Sequence, residues 1–259
     1  DILWLDGGWV AKKEPADIKQ WYGGKIDRAP SGFIKNRIVN QDIRMDELVK
    51  KVRARQPGLI VVDRAVPGIH QNYLTPENRV PEKELPYPWE SCIIAGGGWS
   101  WVPDAKYKSP REAVHLLVDI GAKGGNLLPN IAPGPDGTWH QEAYDMLAGV
   151  GAWMRVNGEA IYGTRAIAPY KTGNVCLTQK EAEKLVYAIY LAQDDETVPP
   201  AEIKVQGVKL DPGTKVTLLG VEGALSWEAT EDGFKVLIPE AVRRDPPCAE
   251  AWALKLAKH

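Results

Sequence analysis

Four short apolar runs constrain this chain more than any other feature: ILWL (2–5), LIVV (59–62), ESCIIA (90–95) and NLLPNIAP (126–133). ILWL and LIVV carry no polar residue at alternate positions, so as strands they need cover on both faces, as in a parallel sheet layered with helices. Helical stretches separate the runs. MDELVKKVRARQ (45–56) has apolar residues at 45, 48, 49 and 52, with Asp42 a candidate N-cap and Pro57-Gly58 a stop. SPREAVHLLVDIGAKGG (109–125) has Ser109 at the N-cap, Pro110 at N1, Glu112 completing a capping box and Gly124 closing the end. A longer helix is expected over roughly 139–156, opened by Thr138 with Gln141 three residues on and closed by Asn157-Gly158. Residues 10–40 and the Pro-rich stretch 66–88 read as loops.

Polar residues follow the strands: Asp6, then Asp63 with Arg64, then Asn130. In α/β barrels that C-terminal strand end carries the active site, but three or four strands cannot close an eight-stranded barrel. Near Pro169 the pattern changes to short strands at 184–192, 202–208, 215–219, 225–229, 234–238 and 251–257, divided by turns such as Asp211-Pro212-Gly213 and Asp232-Gly233. The expected fold class is therefore α/β: a partial, half (β/α)8-like barrel over 1–168, followed by a small antiparallel β-sandwich over 169–259.

A net charge of −2 gives no electrostatic grip on nucleic acid or an anionic membrane. No apolar run approaches the roughly 20 residues of a membrane helix, and no leader peptide is recognisable, so a soluble protein is expected, cytoplasmic or secreted, of bacterial type. Cys92, Cys176 and Cys248 lie far apart, and His70, His115, His140 and His259 share no ligand spacing, so no metal or cofactor is expected. His115, among apolar helix residues, reads as structural, and Lys50, Lys51, Arg53 and Arg55 as a solvated face. The glycines at 96–98 and 121–125 lack nucleotide-loop patterns. The aromatic balance is unusual, with 10 Trp and 9 Tyr against 2 Phe. Flat rings with a polar edge suit sugars as well as cores; Trp227 and Trp252 read as core.

Carboxylates at strand ends in such a scaffold suggest glycoside hydrolysis, where a retaining enzyme needs two carboxyl groups roughly 5 Å apart. Asp6, set after a strand and before two glycines, is the best nucleophile candidate; a turn or cap aspartate is the bland alternative. The acid lies among Glu77, Glu82, Glu84 and Glu90, and spacing alone does not choose.

Seven segments, in order, carry a family likeness: DILWLDGGW (1–9), PGLIVVDR (57–64), NYLTPENRVPE (72–82), YPWESC (87–92), WSWVP (99–103), LLVDIGAKGGNLLPNIAPGPDG (116–137) and VNGEAIYGT (156–164). Over about 160 residues the chain resembles the catalytic region of retaining α-L-fucosidases of glycoside hydrolase family 29. The resemblance implies that Asp6 is the nucleophile, that Arg64 lies beside it and the sugar, and that Trp4 and Trp101 pack on the sugar's apolar face and methyl group. It favours Glu77 as acid/base and keeps Glu90 as the alternative. GGNLLPNIAP departs from the family's GGNLLLNIGP at Pro129 and Ala132, and Pro129 suits an edge strand or bulge.

The resemblance also implies barrel strands and fucose-binding histidines upstream of the nucleophile strand, which these residues do not include. The expectation is an exo-glycosidase acting on fucosylated glycans, completed by self-association as a homo-oligomer or by a partner chain that supplies the other barrel half. The alternatives are a non-catalytic carbohydrate-binding protein and a partner-dependent fragment.

Overall fold

The computed structural model describes residues 1–6, 43–64 and 69–257. They form two compact units: Asp1–Pro76 with Pro86–Glu90, and Glu77–Leu85 with Ser91–His259. Gly7, Gly8, Asp42 and the stretch 10–40 lie outside the described residues.

The first unit is built on parallel pairing. β1 (Ile2–Leu3) runs beside β2 (Ile60–Val61), Ile2 opposite Ile60 and Leu3 opposite Val61. Val62 then bridges Tyr73, and Leu74 bridges Trp89, again in parallel. Neighbours in space thus follow the order of the sequence, as in a barrel wall. The run NYLT within the supposed loop is a strand neighbour, a correction to the loop reading of 66–88. α1 (Met45–Arg53) lays Met45, Leu48, Val49 and Val52 on Leu3, Leu5, Leu59 and Val61. Its first turn is preceded by Arg44 in the left-handed region (φ 52°), with no side-chain cap. Arg53 is not solvated as expected. It donates from Nε to the Leu59 carbonyl at 3.1 Å, and from one Nη to the His70 carbonyl at 3.1 Å and to Asn72 Oδ1 at 2.8 Å. Asn72 Oδ1 also accepts the Val61 N–H at 2.8 Å, so Arg53 and Asn72 together brace β2 where it ends.

In the second unit, β3 (Trp89–Ile94) contributes from Ser91 onward. Cys92 bridges Glu77 in parallel, and β3 pairs with β4 (Gly125–Asn130). Among the described residues β4 has no second neighbour, which places Pro129 on an edge strand, where proline is tolerated. α2 (Pro110–Ala122) begins as its sequence predicts: Ser109 Oγ accepts the Glu112 N–H at 3.2 Å while Glu112 Oε2 accepts the Ser109 N–H at 2.7 Å. Gly124 follows the helix at φ +78°, a conformation that closes it. α3 (Gln141–Asn157) starts later than expected, with His140 at the N-cap. Thr138 does not cap it; its N–H and hydroxyl both turn back to Asp136 Oδ1, at 3.0 and 2.8 Å.

The remaining strands form two antiparallel sheets. β5 (Arg165–Thr172), β6 (Val175–Lys180), β7 (Leu185–Leu191), β9 (Lys215–Leu218) and β12 (Ala251–Ala257) make a five-stranded sheet in the order 5-6-7-12-9. β8 (Glu202–Gln206), β10 (Trp227–Ala229) and β11 (Gly233–Leu237) make the second, in the order 10-11-8. The sequence reading missed β5 and β6, because Pro169 and the Gly173 turn hid a hairpin with a bulge. Val186, Ala188, Trp252, Leu254 and Leu256 face Ile203, Val205, Phe234 and Val236 of the smaller sheet. Cys176, Tyr187, Ile189, Ala251 and Ala253 face Val114, Val118 and Ala122 of α2 and Trp153 of α3. The central strands are therefore buried on both faces, which is why β7 and β12 read as continuous apolar runs. Trp252 is fully buried and Trp227 packs against the same core, as their sequence context indicates. His115 is structural too: its Nε2 lies 2.8 Å from the Glu250 carbonyl, and burial pushes its pKa down.

Candidate active site

Asp6 stands three residues after the last residue of β1, and Arg64 three after that of β2, so the parallel pairing of the two strands brings them together. Arg64 donates from Nε to Asp6 Oδ1 at 2.8 Å. The Arg64 side chain is only 14% exposed and Asp6 is 61% exposed, which leaves the carboxylate open to an incoming group while its partner is held. The Arg64 guanidinium also lies over the Trp4 ring, 5.0 Å from its centroid, a cation–π contact that fixes the fork. Trp4 in turn points its indole N–H at Glu90 Oε1, 3.4 Å away. Four of the expected site residues thus form one chain of contacts, Asp6–Arg64–Trp4–Glu90, within the first unit.

Asp63, which the sequence marks as a strand-end residue without giving it a role, also belongs here, with Tyr73 and Thr75, which escaped the sequence reading. Thr75 donates its hydroxyl to the buried Asp63, which fixes the strand end next to Arg64. Tyr73 is buried on the same strand face, and its hydroxyl makes no hydrogen bond of regular geometry. Burial, then the carboxylates of Glu90 and Asp63, raise its pKa to about 12 against the pull of the Trp4 indole. The aromatic and β-branched run NYLT was the available signal.

Glu77 and Trp101 lie in the second unit. The Glu77 side chain is exposed, while its backbone is fixed: residue 77 bridges Cys92, the Asn78 N–H donates to the Cys92 carbonyl at 2.8 Å, and Asn78 Oδ1 accepts the Ile94 N–H at 2.9 Å. Of the other acids considered, Glu82 is exposed and Glu84 accepts the Tyr170 hydroxyl at 2.7 Å, a structural tie. Trp101 stacks on His140 with ring centroids 5.4 Å apart and planes at 21°. Tyr107 meets the same imidazole edge-on, its hydroxyl 3.3 Å from Nδ1. A cavity of about 460 Å³ opens at the end of β3, lined by Asn78, Gly96, Gly97, Lys106 and Tyr107 among others. Gly96 is required there, since a Cβ would sit 2.4 Å from the Tyr107 ring. Among the described residues no three His, Cys, Asp or Glu side chains gather as a metal site requires, and no helix is long and apolar enough to cross a membrane.

Comparison with known proteins points the same way. A family model described as Alpha-L-fucosidase matches residues 1–159, and one described as Alpha-L-fucosidase C-terminal domain matches 169–257. The plasma alpha-L-fucosidase of Homo sapiens is 36% identical over 197 residues, covering 72% of this chain and 41% of the human protein. The tissue alpha-L-fucosidase of Rattus norvegicus is 32% identical over 269 residues, covering the whole of this chain and 52% of the rat protein. The chain thus spans about half the length of such curated relatives. Among solved structures, alpha-L-fucosidase isoenzyme 1 from Paenibacillus thiaminolyticus superposes with a TM-score of 0.73 at 26% identity, over the whole of this chain and 58% of that one. The Thermotoga maritima alpha-fucosidase in complex with fucose shares the fold, with a TM-score of 0.70 at 24% identity over 84% of this chain and 50% of that one. These likenesses assign the fold: an α/β, TIM-like catalytic part followed by a β domain.

Proposed function

The chain belongs to the alpha-L-fucosidase family, and from that premise we propose that it carries the nucleophile-bearing part of a retaining exo-α-L-fucosidase acting on fucosylated glycans. The observation that carries this reading is the contact chain Asp6–Arg64–Trp4–Glu90. An open carboxylate at the end of a parallel strand, fixed by a fork-shaped cation that is itself fixed on an aromatic ring, is the preparation a nucleophile needs. Asp6 attacks the anomeric carbon as the glycosidic oxygen leaves, forming a glycosyl-enzyme ester; water then cleaves the ester with net retention. Arg64 aims the attacking oxygen, and Trp4 and Trp101 offer apolar faces to the sugar.

Glu77 is assigned the acid/base role: its backbone is tied to β3 and the residue is exposed. Glu90 receives the Trp4 indole and works through it, holding the ring on which Arg64 lies. Residues 1–168 are the barrel part and 169–259 the β domain in this proposal. The rest of the barrel wall comes from further polypeptide: a longer form of the same protein, a partner chain or a second copy.

The test is hydrolysis of an aryl α-L-fucoside by wild type and two variants. Asp6→Gly is expected to lose activity and to regain it with azide, giving the inverted β-fucosyl azide. Glu77→Ala with azide is expected to give the retained α-product. An Asp6→Gly variant as active as wild type refutes the assignment, and an α-azide from Glu90→Ala in place of Glu77→Ala transfers the acid/base role to Glu90.

A further inference from the structure

The loop after β4 leads into α3 through a braced turn. The Gly134 N–H donates to the Thr138 carbonyl at 2.7 Å, the Gly137 N–H to the Gly134 carbonyl at 2.9 Å, and Asp136 holds Thr138 as described. Two large rings stand just beyond it. Trp139 and Tyr144 pack on each other with centroids 5.3 Å apart and planes tilted by 39°. Both are solvent-facing, Trp139 36% and Tyr144 45% exposed. The pair stands at the surface on a preorganised turn, whereas Trp153 and Trp252 are fully buried. His140, the residue after Trp139, stacks on Trp101, so the rings of this loop continue from a residue already assigned to sugar contact.

We propose that Trp139 and Tyr144 form a stacking platform for a neutral pyranose of the glycan from which fucose is released. The inference rests on the proposed fucosidase reading and deepens it: the substrate is a fucosylated oligosaccharide, and part of its recognition lies in the sugar left behind. The chemistry fits a neutral ring. Two aromatic faces set at an angle present π surfaces to the CH face of a pyranose, whose hydroxyl rim remains in water. The only charged side chains within three residues of the pair in sequence are Asp136, held by Thr138, and Glu142 and Asp145, both acidic, a setting that disfavours uronates and sulfated sugars.

The test begins with binding, which needs no catalysis. Saturation-transfer NMR on the purified chain with N-acetyllactosamine is expected to show transfer concentrated on ring CH protons. Trp139→Ala and Tyr144→Ala are each expected to weaken binding roughly three- to tenfold, with the native circular-dichroism spectrum retained at the assay temperature. Glucuronic acid should bind no better than the neutral sugar. In turnover assays the same variants should raise KM for a fucosylated disaccharide several-fold, leaving kcat/KM for an aryl fucoside unchanged. Absence of binding to N-acetyllactosamine, or binding unaltered in both variants, overturns the platform. So does concentration-dependent self-association that disappears in Trp139→Ala, which would make the pair an interface between copies. Binding lost in the variants of a chain that by itself hydrolyses no fucoside would uphold the platform and leave hydrolysis to the completed barrel.

Discussion

α3 contains two glycines, Gly149 and Gly151, that share a helix and differ in what surrounds them. A Cβ on Gly149 would lie 2.5 Å from Pro110 Cβ and 2.6 Å from Pro110 Cγ, at the point where α2 and α3 touch. Carbon atoms rest about 3.5–4.0 Å apart, so the helices would have to separate by roughly 1 Å, and the proline ring has no rotamer in which to retreat. A Cβ on Gly151 would meet nothing nearer than the Arg155 guanidinium at 3.8 Å. Alanine improves helix propensity by about 0.8–1 kcal/mol at either site. For Gly151→Ala that gain stands, and stability should rise by about 0.5–1 kcal/mol. For Gly149→Ala an overpacking cost of about 1–3 kcal/mol outweighs the gain, for a net loss of about 1 kcal/mol. The two variants should therefore differ by about 1–3 kcal/mol, or several degrees in Tm at about 2–4 °C per kcal/mol. Urea titration followed by circular dichroism reads both. If Gly149→Ala is stabilised as much as Gly151→Ala, the close approach of α2 and α3 at Pro110 is wrong.

Other outcomes follow from particular contacts. Ser109→Ala removes the hydroxyl half of the α2 capping box, which accepts the Glu112 N–H and donates to Glu112 Oε2, and should cost about 1 kcal/mol; Glu112 is held below its usual carboxylate range chiefly by the Ser109 N–H, which the variant keeps, and then by the hydroxyl, so only the hydroxyl's share of the penalty should fade as pH drops through the folded pKa of Glu112. His115 is held neutral, its pKa lowered mainly by burial, so below about pH 6.5 the unfolded chain binds more protons than the folded one and stability falls with acidification. His115→Gln should flatten the Tm-versus-pH curve between neutral and mildly acidic pH, and an unchanged slope refutes this. Arg64→Met removes a charge-assisted hydrogen bond from an exposed carboxylate, and with Asp6 so open the low end of the usual range, about 1.5 kcal/mol, applies. That is roughly a tenfold drop in kcat/KM for an aryl fucoside, whereas Arg64→Lys, lacking the fork and the flat contact with Trp4, should recover only part of it.

Strand periodicity and helix ends were legible where one local force dominated. The α2 cap and the apolar stripe of α1 depend on neighbours in sequence, so the sequence shows them; for Pro129 it shows only the missing donor, which suits an edge or a bulge. Asp6 drew notice as the residue that follows an apolar strand, and Arg64 through the family likeness; the structure sets the two side chains 2.8 Å apart. What escaped notice depended on distant partners. Arg53 looks like one more surface cation until β2 and Asn72 arrive to take its donors. Thr138 has the type and spacing of an N-cap, but Asp136 two residues earlier outcompetes the helix for its donors. Tyr73–Thr75 reads as loop because its strand partners, Val62 and Trp89, lie eleven or more residues away. β5 and β6 were hidden by a proline that the sheet absorbs in a bulge.

The five-stranded sheet, apolar on both sides, faces a problem of self-recognition. In a half-exposed strand a slip of one residue turns greasy side chains to water and is rejected at once. β7, LVYAIYL, has no such alarm, because either face of it is welcome in a core. What distinguishes the right alignment is volume and two phenolic tips: small Ala188 toward the sandwich, and the hydroxyls of Tyr187 and Tyr190 reaching Glu159 and Glu196 at 3.1 and 3.0 Å. A slipped strand would strand both oxygens in hydrocarbon, at about 1–3 kcal/mol each. A pair of polar atoms at the rim of the sheet thus serves as its proofreading, and variants that remove them should misalign before they destabilise.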